Sequence, residues 1–89
     1  MNITINGPTF YHSEDENIFF SIIYGLPEYK EVIGKGRELE ISFNKEISDE
    51  TVMSLLVLCH RWGIDIEPLI KFKNEINSKS KLWENRVEN

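Results

Sequence analysis

Apolar side chains recur at two different periods along the chain, and the switches between them divide it into elements. The stretch "NITIN" (2–6) alternates, with Ile3 and Ile5 set against polar neighbours, which predicts a short strand with one buried face. Gly7 and Pro8 end it. The period then lengthens. Ile18, Phe19, Ile22, Ile23 and Leu26 follow helical spacing, so a helix is expected over about 14–25. Ser13 and Glu16 stand in the capping-box relation, in which the serine hydroxyl accepts from the N–H of Glu16 and the glutamate reaches back to the N–H of Ser13. Glu14, Asp15 and Glu16 fall in the first turn, where the helix dipole favours negative charge. Gly25 suits a left-handed terminating position, and Pro27 forbids continuation.

Alternation returns in "EYKEVIGKGRELEISFN" (28–44), where two extended runs flank a "GKG" turn and predict a hairpin. In the second arm Leu39, Ile41 and Phe43 oppose Glu38, Glu40 and Ser42, giving one apolar and one acidic face. In the first arm Tyr29, Glu31 and Ile33 alternate with Lys30, Val32 and Gly34. Lys30 and Lys35 are expected across from the glutamates of the second arm. A second helix follows, capped by Ser48, with Asp49 and Glu50 in its first turn and Val52, Leu55, Leu56, Cys59 and Trp62 as its stripe. Gly63 stops it, and "IDIE" (64–67) reads as a short strand with Ile64 and Ile66 inward. Pro68 opens a further helix over about 68–77, and the polar tail from about 78 is expected to fray.

This element order predicts a single α+β domain. Its expected architecture is a β-α-β-β-α-β arrangement of four strands, with two helices on one face and an additional C-terminal helix. Eighty-nine residues suffice for one core and leave little room for a deep cleft. Phe10, Phe19, Phe20, Phe43 and Trp62 are assigned to that core; Tyr11, Tyr24, Tyr29 and Trp83 are assigned to its edges, as candidates for partial exposure.

Charge narrows the range of functions. Fifteen acids against ten bases give a formal charge of −5, opposite in sign to a general nucleic-acid binder. Such a field attracts basic proteins. The lysine-rich stretch 71–81 is the one basic patch and reads as a solvated face. The only cysteine, Cys59, sits in an apolar helical run and reads as a small buried hydrophobe. The opening "MNITING" lacks the regions of a secretion signal, and "LLVLC" is too short to cross a bilayer, so a cytoplasmic protein without membrane attachment is expected.

The sequence offers no catalytic constellation. His12 and His60 are the only histidines. Cys59 and His60 are sequence neighbours and diverge by about 100° on a helix, so they do not converge on one ligand. Paired-histidine, CxxC, nucleophile-elbow and phosphate-loop spacings are all absent, and neither metal nor cofactor is expected. Most of the acids lie at helix starts or on outward strand positions, not in the apolar pocket that acid–base catalysis needs.

One stretch carries a family resemblance. "ITINGPTFYHSEDENIFFSIIYGLPEYKEVIG" (3–34) resembles the small immunity proteins of bacterial contact-dependent inhibition and related polymorphic toxin systems. The matching features are the strand, Gly7-Pro8 with Phe10, and the acid-led aromatic helix ending in "YGLP"; they cover about the first third of the chain. The resemblance implies a non-enzymatic cytosolic protein that binds a cognate toxin domain, commonly a nuclease with a basic cleft. It implies no catalytic residues. The contacts are then expected from Tyr11, His12, Glu14, Asp15 and Glu16, with Glu38 and Glu40 as a second acidic surface, on a monomer or weak dimer. Two other readings stay open: an adaptor or oligomerisation module pairing through a sheet edge or exposed aromatics, and a small enzyme in which the fold gathers His12, His60 and acids.

Overall fold

The structure, a computed structural model, describes residues 1–84. Alternation builds its sheet. β1 (Asn2–Asn6) pairs antiparallel with β3 (Glu38–Phe43), with Ile3 opposite Ile41 and Ile5 opposite Leu39. β2 (Tyr29–Lys35) pairs antiparallel with the other side of β3, with Val32 opposite Ile41. The sheet has three strands in the order β1-β3-β2, so the acid-and-apolar strand is central. Its buried positions, Ile3, Ile5, Ile41 and Phe43, join the same apolar cluster as the helices.

A bulge corrects the reading of the first hairpin arm. Tyr29 opposes Phe43 while Glu31 opposes Ser42, so Lys30 is an extra residue on β2. The extra residue reverses the alternation across it. Tyr29 therefore packs on the core, as Val32 does, while Glu31 and Ile33 lie on the outer face. Lys35 does meet a glutamate of β3: its Nζ lies 3.1 Å from Glu40 Oε1. Gly36 supplies the left-handed turn residue at φ 62°.

α1 (Ser13–Tyr24) buries Phe19 and Ile23. Ile18, which the periodicity assigned to the stripe, is 49% exposed. Gly25 ends α1 in right-handed geometry at φ −83°, not in the left-handed form. α2 (Asp49–Trp62) buries Thr51, Val52, Leu55, Leu56, Leu58 and Cys59. The Ser48 cap forms as expected, its Oγ accepting from the Thr51 N–H at 3.2 Å. Gly63, at φ 65°, terminates the helix, and its N–H donates to the Cys59 carbonyl.

The fourth strand and the third α-helix do not form. Ile64 and Ile66 are buried as expected, but Asp65 Oδ1 accepts from the N–H of Glu67 at 3.0 Å, which closes a local turn. A 3₁₀ helix, Glu67–Phe72, starts there with Pro68 in its first turn. Only residues 64–66 separate it from Gly63, too few to run along a strand. The 3₁₀ segment instead lies beside β1, Leu69 buried beneath it. Lys73 is extended at ψ 130° and ends the segment.

The region expected to fray is anchored as far as residue 84. Asn77 is 4% exposed. Its Nδ2 donates to the Phe72 carbonyl at 3.0 Å and to Asp49 Oδ1 at 3.1 Å, and its Oδ1 accepts from the Asn74 N–H at 2.8 Å. Trp83, expected at the edge, is 6% exposed in a second 3₁₀ turn, Lys81–Trp83, and its indole donates to the Asn77 carbonyl at 2.9 Å. The remainder of the expected frayed tail, 85–89, lies outside the described residues.

Replacing Asn77 with alanine leaves the Phe72 carbonyl and the Asn74 N–H without their side-chain partners. The expected loss is about 2–3 kcal/mol, read as a lower urea midpoint at unchanged slope. An unchanged midpoint shows that the anchor contributes nothing.

Candidate functional site

The acidic start of α1 is organised by His12, not Ser13. His12 has extended backbone (φ −149°, ψ 140°), and its Nδ1 accepts from the Glu14 N–H at 3.0 Å. The Glu16 N–H reaches the His12 carbonyl at 3.2 Å. The expected capping box does not form: His12 takes the cap position and Ser13 becomes the first helical residue. An imidazole nitrogen fills the same acceptor role as a serine hydroxyl, so the cap survives the exchange.

Asp15 is also engaged within the fold. It is half-buried, and its Oδ2 accepts from Trp62 Nε1 at 3.0 Å, tying the start of α1 to the end of α2. The Trp62 ring meets Phe19 edge-on with centroids 5.1 Å apart, so the indole fills the gap between the helices while its N–H reaches the carboxylate. Glu40, half-buried on the outer sheet face, is held by Lys35. Glu14, Glu16 and Glu38 stay exposed, and Tyr11 is 92% exposed.

Tertiary packing joins two of the acids that sequence placed on separate surfaces. Glu16 from α1 and Glu38 from β3 line one cleft together with Phe10, Phe20 and Arg37. The cleft exists because the end of β1 is drawn onto the hairpin turn. The Gly7 N–H donates to the Arg37 carbonyl at 2.7 Å, and a Cβ at Gly7 would stand 3.0 Å from that oxygen. Across the 7–12 loop a second depression is lined by Tyr11, Asp15, Ile18, Arg61 and Trp62, with Thr9 common to both. One end of the molecule thus carries Tyr11, Asp15, Glu16 and Glu38 around a short loop. Glu40 lines neither depression.

Three features here are invisible to periodicity. Ile18 adds apolar surface beside Tyr11. Arg37 and Arg61 bring positive charge into an end that reads as purely acidic. Glu28 is a buried carboxylate, 5% exposed, accepting a short hydrogen bond from the Thr51 hydroxyl. Ser48 Oγ in turn donates to Thr51 Oγ1 at 3.2 Å, so a relay of hydroxyls links the α2 cap to Glu28. Its partners are hydroxyls, and no imidazole enters the relay.

Cys59 and His60 separate as the helical angle requires: Cys59 is fully buried and His60 exposed. Burial, and secondarily the charge of Asp65, push the Cys59 thiol up to about 12. Among the described residues, no group of three or more His, Cys, Asp or Glu side chains is arranged to hold a metal ion. Nor is any helix among them long and apolar enough to cross a membrane. Compared with known proteins, the chain matches no family, no curated protein and no solved structure.

Two outcomes follow. At pH 8 a thiol with a pKa of about 12 is thiolate in roughly one molecule in ten thousand. The native protein should resist a thiol reagent that labels it at once in denaturant; equal rates in both states contradict the buried assignment. Asp15→Ala should lower stability by about 1–2 kcal/mol and red-shift Trp62 fluorescence, whereas Asp15→Asn, which keeps an acceptor, should lose less than half of that.

Proposed function

We propose that the protein is an immunity-type inhibitor, acting in the cytosol by binding a basic toxin domain and covering its active cleft. One observation supports this reading above others. Glu14, Glu16 and Glu38 remain solvent-facing after the fold has used Asp15 and Glu40 internally, and Glu16 and Glu38 line a cleft shared with Phe10 and Phe20. Tyr11 and Ile18 stand at 92% and 49% exposure next to this group, where an interface draws on aromatic and aliphatic anchors. Carboxylates around an apolar centre suit a partner that carries lysines and arginines around a cleft, such as a nuclease.

In this reading the acids set the rate of encounter and Tyr11 the lifetime of the complex. Charge at the rim of an interface acts mainly through steering, which salt screens. Arg37 and Arg61 confine the negative potential to a narrow zone and select a partner with acids opposite them. His12 and Asp15 serve by shaping the loop that presents Tyr11.

The full chain is co-expressed with a panel of basic nuclease toxin domains, and growth rescue identifies the pair. For that pair, joint replacement of Glu14, Glu16 and Glu38 by glutamine should slow association about tenfold at low salt, with the gap closing at high salt. Tyr11→Ala should leave association unchanged and speed dissociation by roughly thirtyfold, the counterpart of about 2 kcal/mol. An association rate unaffected by the triple replacement at both salt concentrations rejects the reading.

A further inference from the structure

We infer that two copies of this chain pair through the open edge of β2, antiparallel about a two-fold axis at Ile33, to form one continuous six-stranded sheet. The inference is independent of the inhibitor reading. It rests on backbone direction, side-chain charge and exposure.

Backbone direction comes first. In β3 the Phe43 N–H donates to the Met1 carbonyl at 2.8 Å, and the Arg37 carbonyl accepts from Gly7 at 2.7 Å. Odd-numbered residues of β3 therefore turn their backbone groups toward β1. The even-numbered residues Ser42, Glu40 and Glu38 turn theirs toward β2, where they face Glu31, Ile33 and Lys35. The N–H and C=O groups of Val32 and Gly34 are left pointing away from β3, along the edge that ends the sheet.

An antiparallel copy is free to pair about any residue of β2, and the side chains select the register. With the axis at Ile33, Val32 of each copy meets Gly34 of the other, and the outward groups form four hydrogen bonds. Glu31 then faces Lys35 of the other copy, twice, on the closer non-hydrogen-bonded positions. Ile33, 42% exposed on the outer face, meets its own copy on the axis. Gly34 has nothing within 4 Å of where a Cβ would stand, so the backbone there is open to an incoming strand. Moving the axis to Val32 sets Glu31 against isoleucine and draws the Lys30 bulge into the new ladder. The other outer strand, β1, is flanked by the 3₁₀ segment Glu67–Phe72. Five paired residues per copy make a small contact, so the dimer is expected to be weak, with a dissociation constant of roughly 10–500 µM.

The test is sedimentation of the full chain over a concentration series, with folding of each variant checked by circular dichroism. The wild type should shift from one chain to two as concentration rises. Glu31→Lys sets lysine against lysine, and Lys35→Glu sets glutamate against glutamate, so each alone should stay monomeric. Mixed together, the two variants restore both opposite-charge pairs and should form a one-to-one dimer. In the wild type, amide exchange at Val32 and Gly34 should slow as concentration rises. The inference is overturned if the wild type is still one chain at about 1 mM. It is equally overturned by a dimer that both charge variants form as well as the wild type, or by a mixture of folded variants that stays monomeric.

Discussion

The structure depends on the burial of α2. Its stripe of Val52, Leu55, Leu56, Leu58 and Cys59 is closed off from water, each large side chain worth roughly 1.5–3 kcal/mol on removal from solvent. This stripe joins the buried residues of a three-stranded sheet in one apolar cluster, and the sheet is too small to form a core by itself. Once α2 is fixed there, its two ends become attachment points. Thr51 in the first turn holds Glu28, Asp49 beside it holds Asn74 and Asn77, and Trp62 in the last turn holds Asp15. Pieces far apart in sequence are thereby secured to one rigid element.

These attachments are polar, and satisfaction of their partners makes them stable. Glu28, Thr51 and Asn77 are the buried polar or charged side chains among the described residues, and each is hydrogen-bonded. No buried side-chain nitrogen or oxygen among those residues lacks a partner. A buried group left unpaired costs about 1–3 kcal/mol, so a network of this kind works as a set or not at all. It also accounts for the path of residues 73–80, which lack a helix or strand: asparagine side chains replace the missing backbone ladder.

The same accounting separates acids that hold the fold from acids that remain at the surface. Asp15, Glu28, Glu40 and Asp49 are engaged internally. Glu14, Glu16 and Glu38 are not buried, and two of them frame a cleft that arises only because Gly7 lets β1 approach the hairpin turn. The proposed partner surface therefore occupies the helix-start end of the molecule. The β2 edge meets it at Lys35, opposite Glu38, and offers backbone groups flanked by Glu31 and Lys35.

Period and turn chemistry carry much of the fold, because they act locally. Alternation in 2–6 and 38–43, the 3.6-residue stripe of 49–62 and the Ser48 and Gly63 boundaries depend only on near neighbours, and all recur in the structure. So does the outward orientation of Glu38, which follows from an inward Leu39 and Ile41. The fourth strand fails because Asp65 finds a closer hydrogen bond at Glu67, and the face assignment of β2 fails because the Lys30 bulge leaves no mark in the alternation. The roles of Asp15, Glu28 and Trp83 depend on where Trp62, Thr51 and Asn77 come to lie. The contacts of Asp15 and Glu28 join distant parts of the chain whose relative placement is set by core packing. Local pattern thus determined which segments are strands and helices and which side of each is apolar. Only tertiary structure decided which polar groups are consumed in holding them together and which remain at the surface, because a hydrogen bond between distant residues exists only once the apolar faces have docked.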